Sequence, residues 1–332
     1  MMKLRILAVL AAALAATAPT VSARQHAPYS GIVVFGTSLS DSGNAFALRG
    51  GTNTPPDYDL SPLLVPNAPY MRGGHHFSNG ATWIEQFARS LGLAGTVRPA
   101  YGSDSPIATN YAVGAARACD APGDENVNFA DQVAAFLADS GGGAPSDALY
   151  VIEMGGNDVR DAIAAALGVL QGGGSFSQAM QAAAPILACA QQAIQNAIVT
   201  LQQAGARHVL VWTAPNLGLT PAVRSLGPVA MQVASLLSTM FNQMLLPTVH
   251  ALDQASEDID IAVLDAFTLL QQISANPANF GLANATTACV IPNDEPFSCQ
   301  AADDYLFWDG IHPTSAAHAL VAHEAARVLA QQ

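Results

Sequence analysis

The sequence has few basic residues. Of 332 residues, 12 are lysine or arginine and 25 are aspartate or glutamate, which gives a formal net charge of −13. Nucleic acids and anionic membranes bind basic surfaces, so this charge argues against both as partners. The only lysine is Lys3. A P-loop lysine, a Schiff-base lysine and a Ser-Lys dyad are therefore absent from the rest of the chain.

The N-terminus has the pattern of a secretory signal peptide. Lys3 and Arg5 precede an apolar run over 6–16, and small residues follow up to position 23. The run is shorter than the roughly 20 residues needed to cross a bilayer, and no stop-transfer pattern follows it. We predict a signal peptide over 1–23, a secreted or periplasmic protein, and no stable membrane anchor. An uncleaved anchor is the alternative.

The chain has four cysteines. An even number in an exported protein predicts two disulfides. Cys289 and Cys299 bracket one loop, which favours a bond between them and leaves Cys119 to pair with Cys189. Buried free thiols are the alternative. Because no Cys-x-x-Cys motif occurs, neither a zinc site nor a redox site is expected.

Strand patterns alternate with helix patterns along the chain. The strand candidates are apolar without polar alternation, which is typical of a parallel sheet buried on both faces. No break in composition and no internal repeat indicates a second domain. We predict one doubly wound α/β domain over 24–332, with helices on both sides of the sheet. Strands are predicted over 31–35, 109–113, 148–154, 208–213, 260–264 and 305–308, and helices over 81–91, 129–137, 158–170, 177–203, 229–246, 267–273 and 315–329.

Ser38 directly follows the first strand candidate. A hydroxyl there is held at the carboxyl end of the sheet, the edge at which α/β sheets bind ligands. Its own N–H can face a developing oxyanion. The segment is not the G-x-S-x-G elbow of α/β-hydrolases, because residue 40 is a serine. Taken alone, Ser38 is better explained as a helix cap.

Three further features have the residue types of a hydrolase site. Asp309 stands three residues before His312, so it can orient one imidazole nitrogen while the other deprotonates a serine. Asn157 and Gly114 follow strand candidates, where an amide and a backbone N–H can donate to an oxyanion. Taken alone, His312 is better explained as a structural histidine, and the segment around Asn157 as an ordinary turn.

The ordered combination is more specific than its parts. FGTSLSDSGN over 35–44, NYAVG over 110–114, GND over 156–158 and DGIHP over 309–313 occur in this order. The chain thereby resembles the GDSL, or SGNH, hydrolase family, especially its secreted bacterial lipases, phospholipases and acyltransferases. The resemblance covers nearly all of the chain after the signal peptide. It implies a flavodoxin-like sheet and hydrolysis of carboxylic esters without a metal or organic cofactor.

The resemblance also implies a role for each site residue. Ser38 is expected to be the nucleophile, His312 the base and Asp309 the residue that orients the base. The oxyanion is expected to be held by the N–H groups of Ser38 and Gly114 and by the amide of Asn157.

Thr37 departs from the family pattern, which has aspartate at this position. We expect this change to tune the loop rather than abolish the activity. A non-catalytic exported binding domain of the same fold is the alternative that the departure supports, although the presence of all the other site residues argues against it. A carbohydrate acetylesterase is a further alternative.

The segment over 50–80 is rich in proline and glycine and is expected to be an irregular loop. Its residues Leu63, Leu64 and Tyr70 are predicted to contact an acyl chain, although a packed surface loop explains them equally well. The expected partner is a small-molecule or lipid ester, with acyl transfer to an alcohol as an added activity, and the protein is expected to be a monomer. His318 and His323 do not share one helix face, and both are predicted at the surface.

Overall fold

A four-stranded parallel sheet, in the order β1-β2-β3-β4, lies at the centre of the protein. The computed structural model describes residues 28–103, 105, 107–120 and 123–331, so the predicted signal peptide lies outside the described residues. A second parallel pair joins β5 to β6, and β5 lies where no strand was predicted. The strands are β1 Ile32–Gly36, β2 Leu149–Glu153, β3 His208–Trp212, β4 Asp260–Leu264, β5 Asn284–Ala288 and β6 Tyr305–Phe307.

Helices cover both faces of the central sheet. Val33 and Phe35 of β1 pack in the larger core, whereas Ile32 and Val34 face a second core on the other side. This three-layer arrangement confirms the predicted α/β fold, in which helices flank a parallel sheet. The helices are α1 Asn44–Leu48, α2 Trp83–Ser90, α3 Phe129–Asp139, α4 Gly156–Gln171, α5 Phe176–Ala204, α6 Pro221–Ser225, α7 Pro228–Gln254, α8 Ala266–Ala275 and α9 Ser315–Leu329.

The segment 109–113 was predicted to be a strand. It runs beside β1 but does not form a regular strand. The N–H of Val34 donates to the carbonyl of Thr109 at 2.9 Å, and one parallel bridge joins Val34 to Asn110. The N–H of Gly36 instead donates to Oε1 of Gln132 at 2.9 Å, which interrupts the ladder at the end of β1. The chain thus passes from β1 to this segment and then to β2 on the opposite side. The carboxyl end of β1 is therefore a topological switch point, where α/β sheets bind ligands.

Pro247 does not end a helix, which corrects the predicted boundary at 246. Helix α7 continues to Gln254, although an internal proline removes one backbone hydrogen bond. Leu245 and Val249, on either side of it, are buried in the larger core, and this packing outweighs the lost bond. By length and composition alone α7 could cross a membrane, but its buried apolar side chains pack in the larger core.

Candidate active site

A tight turn after β1 carries Ser38. The backbone N–H of Asp41 donates to the carbonyl of Thr37 at 3.0 Å. Gly36, just before this turn, permits the close approach of Glu153, because a Cβ at position 36 would lie 2.9 Å from Oε2 of Glu153. Ser38 is thereby fixed at the end of β1 with 8% of its surface exposed. Within the described residues its own N–H makes no hydrogen bond, so this donor is open to a ligand.

The structure brings Ser38, His312 and Asp309 together. Oγ of Ser38 lies 2.8 Å from Nε2 of His312, and Nδ1 of His312 lies 2.7 Å from Oδ2 of Asp309. A carboxylate in this position holds the imidazole tautomer in which Nε2 can accept the serine proton. The arrangement can therefore turn a weakly nucleophilic hydroxyl into an attacking oxygen.

The carboxylate of Asp309 is fully buried and is held by four donors. Its Oδ1 accepts the backbone N–H groups of Ile311 at 2.9 Å and His312 at 2.8 Å. Its Oδ2 accepts the hydroxyl of Tyr70 at 3.1 Å as well as the imidazole. Tyr70 is 4% exposed. It supports the carboxylate and does not line the cavity beside the serine, contrary to the predicted acyl contact.

The predicted substrate loop packs against the loop of the candidate base. The N–H of Gly310 donates to the carbonyl of Leu64 at 2.8 Å, and a Cβ at 310 would collide with the carbonyl of Leu63. The residues Leu63 and Val65 line the cavity beside the serine. Leu64 packs instead in a separate cluster with Trp308. Of the two leucines predicted to contact substrate, only Leu63 thus reaches the site.

Asn157 lies at the site, whereas the N–H of Gly114 is directed elsewhere. Asn157 lines the same cavity as Ser38, and its Nδ2 donates one hydrogen bond to the carbonyl of Ala116 at 2.8 Å, which leaves a second amide hydrogen. The N–H of Gly114 donates to Oδ2 of Asp41 at 2.8 Å. Because this donor is already used, the geometry does not support Gly114 as an oxyanion donor.

Asp41 is a structural residue that the sequence reasoning did not single out. It is buried, and it accepts the N–H groups of Gly43 at 2.7 Å, Asn44 at 2.7 Å and Ala45 at 3.0 Å in addition to that of Gly114. Burial raises the pKa of Asp41, and these hydrogen bonds oppose the rise. The available signal was an aspartate just before Ser-Gly-Asn, a typical turn and cap sequence.

Ala115 is held between two residues of this network. It follows Gly114, which contacts Asp41, and precedes Ala116, which contacts Asn157. Its φ is 72°, in the left-handed region that favours glycine. Within the described residues its N–H makes no hydrogen bond. This backbone donor was missed because the sequence shows an ordinary alanine.

Thr37 contacts a buried glutamate at the end of β2. Its N–H and hydroxyl donate to Glu153 at 2.9 and 3.0 Å, and the hydroxyl of Ser40 donates to the same carboxyl group at 3.1 Å. Burial raises the pKa of Glu153 to about 7, and the hydrogen bonds from Thr37 and Ser40 oppose the rise. An aspartate at position 37 would bring two buried carboxyl groups into contact. Glu153 therefore explains why threonine is accommodated here.

The site opens on an apolar cavity of about 230 Å³. Ser38, His312 and Asn157 line it, together with Arg160 and His318. His318 is buried, contrary to its predicted surface position, because it shares a helix face with the buried alanines at 322 and 325. Burial lowers the pKa of His318 to about 3, so this histidine is neutral. The apolar lining includes Leu39, Leu63, Leu217, Leu269, Leu270 and Phe307.

Both predicted disulfides are present. Cys119 is bonded to Cys189, and Cys289 to Cys299. The second bond lies in the cluster that also holds Trp308, next to the loop of the candidate base. Within the part of the chain that the structure describes, no cysteine is free.

A second pair of a histidine and a carboxylate, His76 and Glu85, lies outside the cavity. Nε2 of His76 is 2.8 Å from Oε2 of Glu85, which joins the substrate loop to α2. Burial lowers the pKa of His76, but the Glu85 carboxylate outweighs this effect and the net shift is upward. Among the described residues no group of three or more His, Cys, Asp or Glu side chains could hold a metal ion.

Comparison with known proteins agrees with this geometry. Residues 32–325 match the family model described as GDSL-like lipase/acylhydrolase. A GDSL esterase/lipase of Arabidopsis thaliana is 26% identical, over 88% of this chain and 83% of that protein. The phosphatidylcholine-sterol acyltransferase of Aeromonas hydrophila is 24% identical, over 94% of each chain. An uncharacterized protein of Pseudomonas putida is 30% identical, over 91% of this chain and 49% of that protein.

Proposed function

The chain belongs to the GDSL-like lipase/acylhydrolase family and is a carboxylic ester hydrolase, and we propose that Ser38, His312 and Asp309 form its catalytic triad. The observation that carries this proposal is the continuous chain of contacts from hydroxyl to imidazole to carboxylate, at 2.8 and 2.7 Å. The three groups are buried at the end of the sheet, where they are shielded from competing water.

The mechanism passes through an acyl-enzyme. His312 takes the proton of Ser38 as Oγ attacks the ester carbonyl carbon, and then returns a proton to the departing alcohol. Water attacks the acyl-enzyme by the same route. We assign the oxyanion to the N–H of Ser38 and the second amide hydrogen of Asn157, and we propose the N–H of Ala115 as the third donor in place of that of Gly114. Loss of one such donor costs about 3 to 4 kcal/mol in the transition state.

The cavity supports lipid esters as substrates. Its apolar lining beside Ser38 accommodates an acyl chain, whereas an acetyl group on a sugar would leave most of this apolar space unused. The Aeromonas relative is named for acyl transfer from phosphatidylcholine to a sterol. The same reaction is open here when an alcohol replaces water in the second step. Acyl transfer is therefore the second candidate activity.

Export is part of the proposal. We assign residues 1–23 as a signal peptide and 24–332 as one hydrolase domain, released by a bacterial cell to the periplasm or medium as a monomer without an anchor. The two disulfides support an oxidising compartment, and the bacterial relatives support the source.

The test is hydrolysis of p-nitrophenyl esters from acetate to dodecanoate by the purified protein. Ser38→Ala should lower kcat/KM by at least about a thousandfold on every ester while the protein stays folded. Ser177→Ala is the matched control, because Ser177 is exposed on α5. Retention of wild-type rates by Ser38→Ala would rule out the assignment. A wild type that prefers acetate over all longer esters would count against lipid substrates.

A further inference from the structure

Arg160 lines the active-site cavity, and within the part of the chain that the structure describes it has no partner. It lies on α4, three residues after Asn157 and on the same helix face, and both residues line the cavity beside Ser38. A guanidinium carries five hydrogen-bond donors. Among the described residues, none of the hydrogen bonds or ion pairs involves Arg160.

The neighbouring carboxylates are used elsewhere. Asp161, next in the chain, pairs with Arg117, which also contacts Asp124. Glu153 lines the cavity too, but its carboxyl oxygens accept Thr37 and Ser40 beneath the nucleophile turn. None of these carboxylates forms an ion pair with the guanidinium of Arg160.

An unpaired guanidinium at an apolar cavity is costly. Burial lowers the pKa of Arg160, and the charge of Asp161 only partly opposes this. A charge that is partly removed from water destabilises the protein unless it finds a counter-ion and hydrogen-bond acceptors. A ligand that brings an anion into the cavity would supply both.

We propose that Arg160 binds the phosphate of a glycerophospholipid or lysophospholipid while its acyl ester lies at Ser38. The proposal deepens the esterase function and rests on it. Side chains three apart on a helix have Cβ atoms about 5 to 6 Å apart. The phosphate of a glycerophospholipid lies only a few bonds from the ester carbonyl. A carbonyl oxygen at Asn157 therefore leaves the phosphate within reach of Arg160, and a guanidinium matches phosphate oxygens in a bidentate manner.

The first experiment compares two substrates with the same acyl chain. Initial rates are measured on octanoyl lysophosphatidylcholine and on monooctanoylglycerol, both below their aggregation limits. The quantity of interest is the ratio of kcat/KM on the phospholipid to kcat/KM on the glyceride. Arg160→Gln should lower this ratio about ten- to hundredfold, mainly through KM, and Arg160→Lys should lower it less. Arg89→Gln is the matched control, because Arg89 is exposed on α2.

The outcomes separate this proposal from the esterase function. An unchanged ratio in Arg160→Gln, with both substrates hydrolysed, overturns the phosphate site but leaves the esterase intact. A wild type that hydrolyses neither substrate and no p-nitrophenyl ester overturns both.

Binding to Ser38→Ala provides a readout without turnover. Monomeric decylphosphocholine should bind at least tenfold more weakly when Arg160→Gln is added. Decanoate and inorganic phosphate should show a smaller dependence on Arg160. An equal dependence for decanoate would assign the site to carboxylates, and tight binding of inorganic phosphate alone would assign it to free phosphate; either result overturns the headgroup assignment. A ligand-free Arg160→Gln that melts well below wild type would mean that Arg160 is structural.

Discussion

Replacing Glu153 by glutamine should change how stability depends on pH. Glu153 is buried beneath the nucleophile turn, and burial raises its pKa from the ordinary value of 4.5 to about 7. A carboxyl group whose pKa is raised by folding stabilises the native state below pH 4.5, and this contribution is lost as the pH rises through about 7. Glutamine does not titrate, so Glu153→Gln removes this dependence.

The size of the effect follows from the two pKa values. The difference between 4.5 and about 7 corresponds to about 3 kcal/mol, at about 1.4 kcal/mol for each pH unit. The free energy of unfolding of wild type, relative to that of Glu153→Gln, should fall by this amount between pH 4 and pH 8. Contributions from other buried acids, such as Asp41, cancel in the comparison.

The assay is urea unfolding of both proteins at several pH values, with the disulfides intact. Glu257→Gln is the control, because Glu257 is exposed; its stability curve should run parallel to that of wild type. If the curve of Glu153→Gln also runs parallel to wild type over pH 4 to 8, the buried acid does not titrate as argued here. A constant offset between the curves is not informative, because glutamine also changes the hydrogen bonds to Thr37.

Three further predictions test other parts of the account. Tyr70→Phe removes the 3.1 Å hydrogen bond to Asp309. It should lower kcat about tenfold with little change in KM, since a hydrogen bond to a charged group is worth about 1.5 to 3 kcal/mol. An unchanged kcat would contradict this prediction. Leu270→Trp fills part of the cavity. It should lower the ratio of dodecanoate to butyrate hydrolysis about tenfold, because about two methylenes of the longer acyl chain are no longer buried. Equal losses on both esters would show that the acyl chain lies elsewhere. Replacing Cys119 and Cys189 by serine opens a loop of 70 residues and should lower the free energy of unfolding by about 4 kcal/mol; a loss below about 1 kcal/mol in urea unfolding would count against it.

Much of the fold could be predicted from local pattern. The apolar strands are continuous because both faces of the sheet are buried, and β4 was therefore predicted at its observed boundaries, 260–264. The helix α9 was also predicted at its observed boundaries, 315–329. The failures have tertiary causes. Pro247 does not stop α7, because packing on both sides holds the helix. The segment 109–113 lies beside β1, but the side chain of Gln132 accepts the N–H of Gly36 that a regular strand pair would use.

The candidate site divides in the same way. Ser38 and His312 could be singled out because the order of motifs along the chain is specific. The roles of three other residues could not be predicted, because they depend on contacts between segments far apart in sequence or on the lack of such contacts. These residues are Tyr70, Glu153 and Arg160. No spacing rule in the sequence reports that a tyrosine hydroxyl reaches a carboxylate 239 positions away.

The central claim is that Ser38 is an activated nucleophile. Its most direct test is reaction of the native protein with a fluorophosphonate, followed by intact mass measurement and peptide mapping. We expect one phosphonyl group per chain, located on Ser38 and absent from Ser38→Ala. No reaction, or an adduct on another serine that persists in Ser38→Ala, would contradict it.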